Sequence, residues 1–169
     1  MRIFLIGMPG SGKSTIARYL SEALGMPIYD LDKLIEAKAG KTIPMIFDQV
    51  GEEGFRQLEQ EALGRLIDEH EQGIIATGGG APCFFDNLDR MKRAGKTVYL
   101  EAPLATLIAR TSRSAKRPLL KESPADKVTK LLDQREAIYR QADIVFSTQG
   151  RDSLEVARDL AELLAELKT

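Results

Sequence analysis

Apolar residues along the chain fall into short unbroken runs, separated by longer stretches in which they recur every three or four positions. Residues 3–6 (Ile-Phe-Leu-Ile) form the first run and have no polar face, the mark of a strand buried on both sides. Further runs at 27–29, 74–77, 97–100 and 143–146 predict four more strands. Helical spacing between them predicts helices over about 14–24, 31–39, 52–71, 86–94, 103–111, 124–141 and 153–167. Gly25, Gly40 and Gly73 stand where three of these helices stop, and Thr42 is a ready N-cap with Ile43 and Pro44 in the first turn. Residues 112–123 are polar, basic and interrupted by Pro118, which predicts a mobile surface loop. Strands alternating with helices predict an α/β fold with a parallel sheet covered on both faces. No repeat, low-complexity tract or linker divides residues 1–169, so one domain is expected.

Composition narrows the partners. A 43% hydrophobic and 29% charged chain is globular rather than disordered or fibrous. Lys plus Arg number 24 against 25 for Asp plus Glu, a formal charge of −1, which argues against a general nucleic-acid or membrane-surface binder. The absence of Trp leaves little material for a base-stacking platform. Any anionic ligand must therefore meet a local cluster of positive charge. With Cys83 the single cysteine and His70 the single histidine, neither an internal disulfide nor a Cys/His metal site can form. No apolar run approaches the ~18 residues of a membrane span. Strand-like sequence begins at Arg2, leaving no room for a leader, so a cytoplasmic protein is expected.

The most specific motif is Gly7-Met8-Pro9-Gly10-Ser11-Gly12-Lys13-Ser14, which fits G-x-x-x-x-G-K-[ST] between a buried strand and a helix. Its glycines let backbone N–H groups wrap a phosphate, and the helix adds its positive dipole end. Lys13 reaches the outer phosphates, the Ser14 hydroxyl is placed to ligate Mg²⁺, and Thr15 bonds a phosphate nearer the nucleoside. No N-K-x-D is present to read guanine, and Glu101 after the fourth strand is better explained as a solvated strand end than as a motor carboxylate. One phosphate loop in a small chain points to a kinase with a small acceptor, where catalysis is mostly positioning and charge neutralisation.

Asp30 and Asp32 lie at the end of the second strand, on the side where open parallel sheets bind ligands. One carboxylate would serve a magnesium shell and the other an acceptor hydroxyl, although Asp30 is equally a good N-cap. Arg56 and Glu59 are spaced i, i+3, which gives either a preorganised fork for a carboxylate or a surface ion pair. Thr77-Gly78-Gly79-Gly80 follows the third strand where backbone must come close to a ligand or to a neighbouring loop. Arg110, Arg113, Lys116 and Arg117 make residues 110–117 basic, as a lid over phosphates would be, or simply solvated. Arg135, with Tyr139 one turn on, is ambiguous alone.

In ordered combination these residues resemble the shikimate kinase family, of the nucleoside-monophosphate-kinase-like P-loop group. The resemblance rests on residues 7–15, Asp30-x-Asp32 followed by Ile35-Glu36, Gly51-Glu52, Phe55-Arg56-x-x-Glu59, residues 76–80, Arg117-Pro118-Leu119-Leu120, and Arg135 with Tyr139. It implies a three-layer α/β/α sandwich with strand order 2-3-1-4-5, a substrate-binding helical region over about 31–61 and a lid over about 112–123. It also implies ATP-dependent phosphorylation of the 3-hydroxyl of shikimate by a monomer. Carried over, Lys13 and Arg117 stabilise the transferring phosphoryl group, Ser14 and Asp30 organise Mg²⁺, and Asp32 is the base. Gly10, Ser11, Gly12 and Thr15 complete the ATP site, with Arg110 on the adenine and Arg151 assisting. Arg56 and Arg135 grip the shikimate carboxylate, Gly78, Gly79 and Gly80 line its pocket, and Phe47 and Phe55 form apolar walls. The competing expectations are a gluconate or nucleoside-monophosphate kinase, or a nucleotide-binding regulatory module without a metabolite acceptor.

Overall fold

A computed structural model describes residues 1–114 and 123–168. Five strands, β1 (Arg2–Ile6), β2 (Ile28–Asp30), β3 (Gly73–Ala76), β4 (Lys96–Glu101) and β5 (Ile144–Ser147), form one sheet in the order β2-β3-β1-β4-β5. All pairings are parallel. The helices are α1 (Lys13–Leu24), α2 (Leu31–Ala39), α3 (Ile43–Glu69), α4 (Asn87–Ala94), α5 (Leu104–Ser114), α6 (Pro124–Tyr139) and α7 (Ser153–Glu166).

Alternation along β1 splits the core. Ile3 and Leu5 join Ile16, Leu20, Val156 and Leu160 of α1 and α7 on one face. Phe4 and Ile6 point the other way, toward Leu31, Phe55, Leu63, Met91, Leu107 and Tyr139 of the remaining helices. The result is the expected three layers, with β1 central and fully buried from residue 3 onward. The edge strands β2 and β5 are less buried, with Ile28 and Val145 exposed.

Several boundaries differ from the sequence reading. Residues 112–114 continue α5 instead of starting the loop, Ser123 caps α6, and residues 115–122, Arg117 included, lie outside the described residues. Glycine at 73 is the first residue of β3, and α3 ends at Glu69. Thr42 caps α3, its hydroxyl accepting from Met45 N–H, but the helix breaks at Gly51, where φ is 69° and ψ −177°. That left-handed φ favours glycine. The break turns residues 43–50 against the following half, so that the Phe47 and Phe55 rings meet 4.6 Å apart. A short 3₁₀ turn at Ala81–Cys83, unforeseen in the sequence, follows the glycines. Glu101 is paired with Arg140 and not merely solvated.

Arg2, which the sequence presents only as the first strand residue, closes the base of the fold. Its guanidinium donates to the carbonyls of Ile67 (2.7 Å) and His70 (2.6 Å) at the end of α3 and of Ala94 (2.9 Å) at the end of α4. A cation there satisfies carbonyls that helix ends leave unpaired and complements their negative dipole ends. Replacement Arg2→Met keeps the aliphatic stem and removes these bonds. It is expected to lower unfolding free energy by about 2 kcal/mol, read from the urea midpoint at unchanged slope; an unshifted midpoint would show that water replaces the guanidinium without loss.

Candidate active site

The phosphate loop joins β1 to α1. Gly12, the N-cap of α1, has φ 92° and supplies no capping side chain, so the first amides of the helix are open to an anion. Lys13 is buried, and its Nζ donates to the carbonyls of Gly7 (2.7 Å) and Met8 (2.9 Å). Burial pulls its pKa down to about 8, against the opposing pull of Asp32. Ser11 is buried with a hydroxyl that has no partner among the described residues. A polar cavity of about 470 Å³ opens here, walled by Gly10, Gly12, Lys13, Ser14 and Thr15 on one side and by Asp30, Asp32, Thr77, Gly78 and Gly79 on the other. A second cavity of about 390 Å³, between α2 and α3, is lined by Leu34, Leu58, Ala62 and Leu66. It is largely apolar and lies away from the phosphate loop, so the chemistry belongs to the polar one.

Asp30 turns out to have both of the roles considered for it. One carboxylate oxygen caps α2 by accepting from Lys33 N–H (3.2 Å), and the other accepts from the Ser14 hydroxyl (3.2 Å). Two oxygen ligands therefore stand side by side on the cavity wall, hard donors of the kind Mg²⁺ takes. Among the described residues no group of three or more acidic, His or Cys side chains could hold a metal alone. An ion bound here would need phosphate oxygens and water as well, which is the ordinary habit of Mg²⁺. Asp32, one helical step inside α2, has its pKa raised by burial, then by Asp30 and Glu36, with Lys13 and Arg56 opposing.

The Arg56–Glu59 pair is 3.0 Å long, and the two residues are only 7% and 1% exposed, which excludes a surface ion pair. Glu52 adds a 3.5 Å contact, and the guanidinium lies over the Phe84 ring at 4.1 Å and the Phe55 ring at 5.2 Å. Burial pushes the Glu59 carboxyl up while Arg56 opposes, and one Glu59 oxygen has no partner among the described residues.

The three glycines bring these groups together through space and not through unusual torsions. A β-carbon at Gly78 would stand 2.8 Å from Asp32 Oδ1 and 3.2 Å from Glu59 Oε2. One at Gly79 would meet the Pro9 ring at 2.7 Å and Arg135 Nη1 at 3.3 Å, and one at Gly80 would strike the Arg56 guanidinium at 2.5 Å. Three buried side chains hold this loop from behind. Thr77 donates to Leu5 O (3.0 Å), Asn87 to Ala81 O (2.9 Å) and Tyr139 to Gly79 O (2.5 Å). Asn87 and Tyr139 have no signal of this role in the sequence, because their partners are backbone carbonyls. Arg110 lies on the outer side of the phosphate loop and donates to Gly10 O at 3.0 Å. Arg151 does not line the cavity; it pairs with Asp159 (3.1 Å) and covers the Phe146 ring.

Known proteins match nearly the whole chain. A family model described as shikimate kinase matches residues 9–165. A shikimate kinase of Tolumonas auensis is 46% identical over 166 residues, covering 96% of this chain and 95% of the relative. A solved structure titled as shikimate kinase from Acinetobacter baumannii in complex with shikimate superposes with a TM-score of 0.90 at 38% identity, covering 99% of this chain and 94% of that one. The Aquifex aeolicus shikimate kinase gives 0.87 at 39% identity, covering 99% and 98%. A gluconokinase from Sinorhizobium meliloti, at 0.58 and 14% identity, shares the fold alone. Joined to the phosphate loop, the Arg56–Glu59 pair and the glycine loop, these matches show that the chain belongs to the shikimate kinase family.

Proposed function

We propose that this chain transfers the γ-phosphoryl group of ATP to the 3-hydroxyl of shikimate, releasing shikimate 3-phosphate and ADP, a step of chorismate and aromatic amino acid biosynthesis. The observation that carries the reading is the convergence on one cavity of a phosphate loop, an acceptor-side carboxylate and a glycine loop backed by a buried guanidinium. Shikimate is an anion with several hydroxyls, and this is the chemistry such a molecule requires.

Residues 10–15 cradle the ATP phosphates, with Lys13 leaving its backbone carbonyls for the outer ones. Arg56 and Arg135 take the shikimate carboxylate, a role for which a fork held by Glu59 is preorganised. Phe47 and Phe55 wall the ring, and Gly79 N–H donates to it. Asp32 accepts the proton of the 3-hydroxyl as its oxygen bonds to the γ-phosphorus and the bond to the ADP oxygen breaks. Lys13 and Arg117 compensate the charge on the phosphoryl oxygens. Ser14 and Asp30 would hold Mg²⁺, which neutralises charge on the phosphate oxygens when bound. Arg110 and Arg151 serve the adenine end. Residues 112–123 act as a lid over one domain, residues 31–61 as its acceptor-binding part, and exclusion of water by the lid protects ATP from hydrolysis. We assign the enzyme to the cytoplasm as a monomer. No described helix is long and apolar enough to cross a membrane.

Offered ATP and Mg²⁺ with shikimate, gluconate or AMP separately, the protein is expected to release ADP only with shikimate; release with either of the others alone would overturn the reading. Asp32→Asn should lower kcat by about 10²–10⁴-fold while ATP still binds. In the native protein kcat/KM should fall on acidification at a pH above the ordinary carboxylate range, because the Asp32 pKa is raised. The same shift sets the sign for stability. Ionised Asp32 is disfavoured in the fold, so its penalty is absent below the unfolded value of 3.8, grows as pH rises from there to the raised folded value, and is fully present above it. Asp32→Asn should therefore raise the melting temperature at neutral pH and leave it unchanged in acid, and a neutral-pH decrease would contradict the assignment. Arg56→Lys, which loses bidentate geometry, should raise the shikimate KM by about tenfold or more and leave the ATP KM alone.

A further inference from the structure

Tyr139 ends α6, one turn beyond Arg135, and is fully buried. Its ring stacks on Tyr99 of β4 with centroids 5.1 Å apart, so the side chain is fixed by packing independently of its hydroxyl. That hydroxyl reaches two functional loops at once. It donates to the Gly79 carbonyl at 2.5 Å and stands 3.9 Å from the Met8 sulfur in the phosphate loop. Burial moves the phenol well above its ordinary pKa, so it stays a neutral donor.

Because a peptide unit is planar, a carbonyl held in one direction fixes the plane of the Gly79–Gly80 peptide. The Arg56 guanidinium lies against Gly80, closer than a β-carbon would permit, and the Arg135 guanidinium lies against Gly79, where a β-carbon would be tightly placed at 3.3 Å. Turning this peptide would change the floor on which both arginines rest. We propose that Tyr139 is a positioning residue for the acceptor: its hydroxyl locks the Gly79–Gly80 peptide in the orientation that sets Arg56 and Arg135 at the spacing of one carboxylate. The inference rests on the shikimate reading given above and adds to it a residue that touches neither substrate.

Tyr139→Phe removes one oxygen and keeps the stacked ring. The shikimate KM should rise about tenfold, as expected for one buried hydrogen bond, with the ATP KM within twofold of the native value. Kinetics are taken at 20 °C in Mg²⁺, each substrate varied with the other saturating, which supports the folded fraction by mass action. Reversible partial unfolding would raise both apparent KM values by the same factor, the inverse of the folded fraction, and irreversible loss would lower kcat alone, so a rise confined to shikimate is not lost stability. Tyr99→Phe, which removes the hydroxyl of the partner ring and does not touch the bond to Gly79, should leave both KM values unchanged. Unchanged KM values in Tyr139→Phe, or equal increases for shikimate and ATP, would overturn the proposal. Lack of turnover with shikimate in the native enzyme would instead overturn the parent reading, whatever the variant does.

Discussion

At the end of β3 the backbone comes closer to the side chains of Asp32, Pro9 and Arg56 than a chain carrying β-carbons could approach them, and Glu59 and Arg135 crowd the same strip. Everything on the acceptor side depends on that approach. It lets groups from α2, α3, α6 and the phosphate loop face one strip of main chain, and it makes the main chain itself a wall of the pocket. The strip is rigid although it is made of glycine, because Thr77, Asn87 and Tyr139 bind its carbonyl neighbours and partners from the buried side. Small residues supply the room, and large buried residues behind them supply the order.

The electrostatics follow from the same crowding. Lys13, Asp32 and Glu59 all sit where burial disfavours their charged forms; Lys13 and Asp32 partly compensate each other, and Arg56 and Arg135 partly compensate Glu59. Such a cluster is not an optimum for folding, since solvation lost by each charge is only partly returned by its neighbours. It is what a site prepared for two further anions should look like before they arrive. The surrounding fold carries this load with an apolar core on both faces of a sheet whose central strand is fully enclosed.

Much of this was legible in the residues. Unbroken apolar runs marked the parallel strands, and the spacing of Gly7, Gly12, Lys13 and Ser14 marked the phosphate loop. Asp30 and Asp32 were placed correctly because strand ends are a local property. The state of Arg56 and Glu59 was not legible, since i, i+3 spacing is the same for an exposed pair and a buried one. What buries it is Phe84, which reaches it from another part of the chain. Gly51 stood in the sequence only as the residue before a helix expected from about 52, yet its left-handed φ folds one helix into two contacting halves. The roles of Arg2, Asn87 and Tyr139 were not legible, for a shared reason. Each side chain bonds main-chain carbonyls, and every residue type presents the same carbonyl.

The Arg2 clasp also bears on how the chain is made. Arg2 waits for carbonyls 65, 68 and 92 positions behind it in synthesis, and its strand takes both neighbours, β3 and β4, from downstream. At about 5–20 residues per second, roughly 5–20 s pass between the emergence of this arginine and that of its last partner. Throughout that interval the most apolar strand of the protein lacks its sheet, and nascent-chain chaperones have their clearest opportunity to hold it.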